Sequence, residues 1–300
     1  MELFRNTRYD FLGMKWRFIL PSLVLLFAGL VSLAVKGGPR YSIEFKGGAV
    51  MDVEWKGAPP IGRIRNAVSS RLSGVSVVAA HDSAGSNEVL ISVPAEGDLA
   101  SLRQNLTQAL SSVSAGYSIR SFEAIGPEIG ADLRKQALTA TAGASAGMLV
   151  YLAWRFRLSY GVAAVIAMAH DAMITVGLLS LLDKEISLTV VAALLTLIGY
   201  SMNDTIVVFD RVRENRQTVQ SESLCETINR SINQTLSRTV LTSGLTLLSA
   251  LSLLFFGGQV LRGFSLALTI GIIVGTYSSI FIASPILLAW ENRLASGGTK

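Results

Sequence analysis

Cysteine is almost absent from this 300-residue chain, with Cys225 the single example, so no intrachain disulfide can form. Charge is scarce as well. Only 16% of the residues are Asp, Glu, Lys or Arg, half are hydrophobic, and the mean hydropathy is +0.48. These values lie outside the range of soluble globular proteins. The polar part of the chain holds no constellation of His, Cys or paired carboxylates that suggests catalysis, and nothing points to a metal or another cofactor. The formal charge of +5 is not distributed for nucleic acid. Basic residues gather at the ends of apolar runs (Arg5, Arg8, Lys15, Arg17; Arg155, Arg157; Arg211, Arg213, Arg216), as in cytoplasmic loops under the positive-inside rule. The expected neighbour is therefore membrane lipid.

Six runs approach or exceed the ~20 residues that a spanning helix needs: 17–35, 136–154, 158–182, 188–209, 239–256 and 263–290. The first has a basic flank and a small-x-small site at Ser32, Leu33 and Ala34, as a signal peptide would. Its apolar part is longer than a signal-peptide core, which favours an uncleaved anchor. Six spans with both ends of the chain inside satisfy every loop. The expected division is a cytoplasmic segment 1–16, a first span 17–35, an extracytoplasmic domain 36–135, five further spans over 136–290 with a cytoplasmic loop near 210–236, and a cytoplasmic tail 291–300.

The one sizeable polar region lies between the first two spans, and its periodicities alternate. Ala49, Met51, Val53 and Trp55 face one way with Asp52 and Glu54 the other, a strand at period two. Ile61, Ile64, Val68 and Leu72 follow helical spacing. Strands are expected near 75–80 and 88–93 around a turn at 82–87, then a helix through Leu99, Leu102, Leu106, Leu110 and Val113, then a strand over 117–125. That βαββαβ order is the ferredoxin-like α+β arrangement. His81 and Asp82 read as solvated loop residues.

The membrane runs carry polar groups that packing does not require. Asp204 lies well inside the fourth run, where a central Asp costs roughly 2.5–3.5 kcal/mol, so it marks a functional-site hypothesis. At 100° per residue, Thr189, Thr196, Tyr200, Asn203 and Asp204 share one face, expected to look into the bundle. Arg238, Thr242, Thr246, Ser249 and Ser252 form a similar stripe at the start of and along the fifth run. Facing each other, the two stripes would line a hydrated path; alternatively, the hydroxyls bond back to their own helices. Arg238 stands near the cytoplasmic end and can reach the headgroups. His170 and Asp171, near the middle of the third run, read either as a proton relay or as a structural hydrogen-bonded knot. Gly143 with Gly147 and Gly271 with Gly275 match the GxxxG spacing of close helix approach.

The string LTLIGYSMNDTIVVFDRVREN at 195–215 resembles the fourth-helix signature of the SecF subunits of bacterial protein export. SINQTLSRTVLT at 231–242, FGGQVLRGF at 256–264 and GTYSSIFIASP at 275–285 are similar to the same family, as are YDFL at 9–12, IGP at 125–127 and AHD at 169–171. One departure stands at 42–48, where the family usually reads Gly-Ile-Asp-Phe-x-Gly-Gly and this chain reads SIEFKGG. The resemblance implies the SecD/SecF family of the RND superfamily and a six-helix half of a twelve-helix bundle completed by SecD. It also implies a bacterial inner-membrane location with the 36–135 domain periplasmic, and assistance to the SecYEG channel after SecA has begun transfer of a preprotein. YajC is a further candidate partner. Energy would come from a proton or sodium gradient, with Asp204 as the ion-coupling acid and Arg238 as its neighbouring arginine. An RND-type exporter of small molecules or lipids is the alternative, although it would be expected to carry much larger outer domains. An intramembrane aspartyl protease using Asp171 and Asp204 lacks the Gly-x-Gly-Asp approach.

Overall fold

The computed structural model describes residues 7–81, 87–94, 99–113, 116–218 and 221–297. In chain order it begins with helix α1 (Lys15–Val35) and the single turn α2 (Ile43–Lys46). The polar domain follows: β1 (Gly48–Trp55), α3 (Ile61–Ser69), β2 (Ser76–His81), β3 (Asn87–Pro94), α4 (Leu99–Ser111) and β4 (Tyr117–Ile125). Then come α5 (Pro127–Arg155), α6 (Leu158–Leu181), α7 (Leu188–Thr218), α8 (Leu224–Phe256), α9 (Gly258–Ser278), a π-helical turn (Ser279–Ala283) and α10 (Ser284–Gly297). Among the described residues, α1, α5, α6, α7, α8 and the α9–α10 run are long and apolar enough to cross a membrane.

The polar domain has the expected βαββαβ order. Its sheet is antiparallel with strand order β2-β3-β1-β4. Met51 pairs with Ile91 on one side and Phe122 on the other. The alternation along β1 places Ala49, Met51, Val53 and Trp55 in a core with Ile64 and Val68 of α3 and Leu102, Leu106 and Leu110 of α4. Asp52 faces the other way, with one carboxyl oxygen sealed and without a hydrogen-bond partner among the described residues. Burial raises its pKa, partly offset by Arg120. The turn after His81, Asp82 included, and the His81 side chain lie outside the described residues.

Two helices outrun their apolar windows. The segment 210–236, expected as a loop, is helical over most of its length: α7 runs on to Thr218, and α8 begins at Leu224 behind a capping box of Ser223 and Glu226. A hydropathy window ends where polar residues begin, but a helix stops only when its backbone is capped or broken. Asn215 Nδ2 donates to Ser231 Oγ and Gln234 Oε1, each at 2.8 Å, pinning the two extensions together. The π-helical turn has a local cause in Pro285, which lacks an N–H and whose ring crowds the carbonyl four residues back, that of Phe281.

Close helix approach follows only one of the two GxxxG motifs. A Cβ on Gly271 or Gly275 would meet Leu197 at 2.5 Å and Ser201 at 2.8 Å, so α9 lies tightly on α7. A Cβ on Gly143 or Gly147 would meet no other element within 4 Å among the described residues. The α1–α6 crossing instead uses Gly29 and Gly177, where a Cβ on Gly29 would sit 2.7 Å from the Gly177 Cα; neither belongs to a GxxxG pair.

The polar domain is tied to the spans at both of its ends. β4 runs through Gly126 into α5, whose first position is Pro127, a residue that suits N1 because its missing N–H is not needed there. On the other side, Ser42 N donates to Ile186 O at 3.0 Å and Ile186 N to Arg40 O at 2.6 Å. The chain leaving α1 therefore lies against the α6–α7 turn. Lys36 bonds Asp183 at 3.2 Å, and Arg40 pairs with Asp183 and Glu185. The Lys36 bond, with help from Arg40, holds the Asp183 carboxyl below its usual range.

Candidate functional site

Helix α7 is the axis of the site, and its N-terminal end is capped by another element. Leu188 N donates to Glu44 Oε2 at 2.5 Å, and Glu44 is also reached by Ser42 Oγ at 3.2 Å. A carboxylate at a helix N-terminus satisfies an orphan N–H and complements the helix dipole. Glu44 is the acid of the SIEFKGG segment, and nothing in the sequence linked it to α7.

Further along α7, Asp204 is 2% exposed. Ser243 Oγ of α8 donates to its Oδ2 at 2.8 Å. Oδ1 has no hydrogen-bond partner among the described residues, so the carboxyl retains capacity to hold a proton. Arg238 lies more than a turn before Ser243 on α8 and is within electrostatic range of Asp204. Its guanidinium makes no hydrogen bond or ion pair among the described residues. Ser243, which lies off the Arg238–Ser252 stripe, is the residue whose side chain hydrogen-bonds the acid.

Apart from the buried Asp204, the two stripes border the surface of this chain. Thr196 and Asn203 on α7, and Arg238, Thr242, Ser249 and Ser252 on α8, lie on the exposed surface of the chain, while Tyr200 and Thr246 are half-buried. The Tyr200 hydroxyl is sealed without a hydrogen-bond partner among the described residues. Thr196, Thr242 and Thr246 donate to the carbonyls of Ala192, Arg238 and Thr242 at 2.8–2.9 Å, and Ser249 to Leu245 O at 3.2 Å. These are the back-bonds of the alternative reading. Helical periodicity marks a polar face but not what that face meets, and here it borders a surface rather than the interior of this chain.

His170 and Asp171 form the centre of a buried network. His170 Nδ1 lies 2.8 Å from Asp171 Oδ1, and His170 Nε2 lies 2.5 Å from Ser22 Oγ of α1. Asp171 Oδ2 accepts from Ser201 Oγ of α7 at 2.5 Å and Ser278 Oγ of α9 at 2.7 Å. Four helices meet at this pair, and Ser278 is the last residue before the π-helical turn. The carboxylate requires a proton on Nδ1, which leaves Nε2 of a neutral ring to accept from Ser22. Asp171 and Asp204 share no hydrogen-bond partner among the described residues.

The YDFL segment is clasped to the N-terminal extension of α8. Tyr9 N donates to Asn233 Oδ1 and Asn233 Nδ2 to Tyr9 O, both at 2.9 Å, and Leu12 N donates to Asn229 Oδ1 at 3.0 Å. Phe11 packs edge-on against Phe281 of the π-helical turn, with ring centroids 6.0 Å apart. Among the described residues no three His, Cys, Asp or Glu side chains converge as a metal site would require.

Comparison with known proteins agrees with this layout. The family described as "Protein export membrane protein SecD/SecF, C-terminal" matches residues 105–293. The protein translocase subunit SecF of Koribacter versatilis is 42% identical over the whole of this chain and 96% of its own. That of Rhodothermus marinus is 38% identical over 99% of this chain and 97% of its own. The protein translocase subunit SecDF of Thermus thermophilus is 39% identical over 96% of this chain, which spans 39% of that longer protein. A crystal structure of that translocon-associated SecDF superposes with a TM-score of 0.87 at 38% identity, covering 98% of this chain and 40% of the SecDF chain. A SecDF structure in a super-membrane-facing form gives 0.72 at 39% identity, again covering 98% and 40% of the two chains.

Proposed function

The chain belongs to the SecD/SecF family of protein-export membrane proteins, as a multi-pass, SecF-type accessory subunit of Sec export, and from that premise we propose that it couples an ion gradient to preprotein movement through Asp204. The observation that carries this reading is the Asp204 carboxyl: buried between α7 and α8, held by the single hydroxyl of Ser243, with one oxygen unpaired and Arg238 in electrostatic range. A buried acid so lightly held can take up and release a proton, and a change of one charge alters which helix packing is favoured. Arg238 stabilises the ionised form. One elementary charge crossing 100 mV is worth about 2.3 kcal/mol, enough to shift a two-state equilibrium roughly fiftyfold. A proton is the ion proposed, with sodium the alternative that a change of driving gradient would reveal.

The partner proposed is SecD, supplying the second six-helix half against the exposed polar faces of α7 and α8. In the SecDF of Thermus thermophilus one chain spans both names. SecYEG, YajC and the preprotein after SecA-driven transfer are the remaining proposed neighbours. In this reading the membrane is the bacterial inner membrane, both ends of the chain are cytoplasmic, and the sheet domain is periplasmic. The His170–Asp171 network is assigned a structural role that keeps α1, α6, α7 and α9 in register. Glu44 supplies the mechanical route: it joins the segment entering β1 to the first turn of the helix that carries Asp204, so a shift of α7 acts on the outer domain. Tagged protein extracted gently from native membranes should co-purify with SecD at a mass matching the pair. A stable, export-competent, SecD-free form would overturn the assignment.

A further inference from the structure

A cleft of about 290 Å³ opens where the α5–α6 turn meets the inner extension of α7, lined by Phe156, Arg157, Tyr160, Arg213, Arg216 and Gln217. Three of those side chains are cationic and none is acidic. Their neutralisation is uneven. Arg216 is matched by Glu291 at 2.7 Å, while Asp210 serves Arg155 at 2.7 Å and Arg213 only at 3.8 Å. Arg157 has no carboxylate within 4 Å among the described residues. The cleft therefore carries an excess of positive charge, and the N-terminus of α6, whose N-cap Arg157 makes no side-chain cap, adds its own N–H groups and dipole.

The surroundings indicate what kind of anion fits. Phe156 and Tyr160 stack 6.1 Å apart as one wall. Trp154 and Leu158, on either side of the turn, are 85% and 75% exposed. Basic groups beside an exposed aromatic and an aliphatic residue at the ends of two spans mark the headgroup depth of a bilayer. The volume is at the lower end for small-ligand sites and suits a compact polar headgroup. We propose that the cleft binds the phosphate of an anionic phospholipid, with Arg157 and Arg213 as its principal contacts and the acyl chains lying outside along Trp154 and Leu158.

The test is native mass spectrometry of the full chain, released from detergent after titration with phosphatidylglycerol, with phosphatidylcholine and inorganic phosphate as comparators. The wild type should retain phosphatidylglycerol in preference to both. Arg157→Gln with Arg213→Gln should weaken that retention roughly thirtyfold, from two lost phosphate contacts near a membrane surface. Arg157→Lys with Arg213→Lys should keep most of it, separating loss of charge from loss of fold. Arg134→Gln, at the opposite end of α5, should change nothing. Equal retention of the two lipids, full retention by the Gln pair, an equal loss on Arg134→Gln, or inorganic phosphate competing as well as phosphatidylglycerol would each overturn the proposal.

Discussion

Replacing His170 separates a structural knot from a proton relay, because glutamine and leucine fail differently. In the native network the imidazole bonds Asp171 at 2.8 Å and Ser22 at 2.5 Å. A glutamine amide can donate to the carboxylate and accept from the serine, replacing both contacts in kind, and should cost under about 1 kcal/mol. Leucine supplies neither. It leaves Ser22 without its partner and Asp171, 1% exposed, with only its two serine donors. One orphaned hydroxyl and a weakened buried carboxylate together cost about 3 kcal/mol. Equilibrium unfolding in mixed micelles measures both variants against the wild type, and gradient-driven export in vesicles measures function. The structural role predicts that His170→Gln exports normally and that His170→Leu is destabilised by that amount. A leucine variant within about 0.5 kcal/mol of wild type, or a glutamine variant that folds normally but loses coupled export, would refute it.

Three further outcomes follow from particular contacts. With Cys225 replaced by serine, cysteines at Ser32 and Ser180, whose hydroxyls lie 2.9 Å apart, should cross-link on oxidation; Gly29→Leu should abolish the cross-link by forcing α1 off α6, while Gly143→Leu should leave it intact. Glu44→Ala should expose the first amides of α7 to faster hydrogen exchange and reduce coupled export, whereas Glu44→Gln, which keeps an acceptor, should do so far less. Burial raises the Asp52 pKa in the folded domain, so the folded state binds the proton more readily than the unfolded chain. Its contribution therefore favours folding as pH falls and opposes it as pH rises through that raised pKa. Asp52→Asn should accordingly slow exchange across β1 at neutral pH, by at most about 1 kcal/mol, and flatten the pH dependence.

Period-two and period-3.6 patterns were sufficient for the sheet domain because each strand and helix there buries one face against a single core: Met51 and Val53 point in, Asp52 points out. The spans were legible as spans from length and apolarity, but α7 and α8 continue well past their apolar windows, where hydropathy has no signal and a capping box at Ser223 does. Asp204 stood out because a carboxylate in an apolar run is costly. Its contact Ser243 did not, since a lone serine in a membrane helix is ordinary and only tertiary packing selects it from its neighbours. The same holds for Ser22, Ser201 and Ser278, which come from three helices to meet one pair. GxxxG spacing identified Gly271 and Gly275 but missed Gly29 and Gly177, because close approach depends on which faces cross, not on repetition within one helix. The polar stripes were real as faces, but a face at the surface of the chain has the same periodicity as one turned inward.

The central claim is that Asp204 titrates to drive export, and Asp204→Asn tests it most directly. Asparagine keeps the size and can still accept from Ser243, so the complex should assemble with SecD in normal yield. Preprotein completion in membrane vesicles, measured with and without an ionophore that collapses the gradient, should show ionophore-sensitive stimulation for the wild type and none for the variant. Full ionophore-sensitive stimulation by an assembled Asp204→Asn complex would contradict the account.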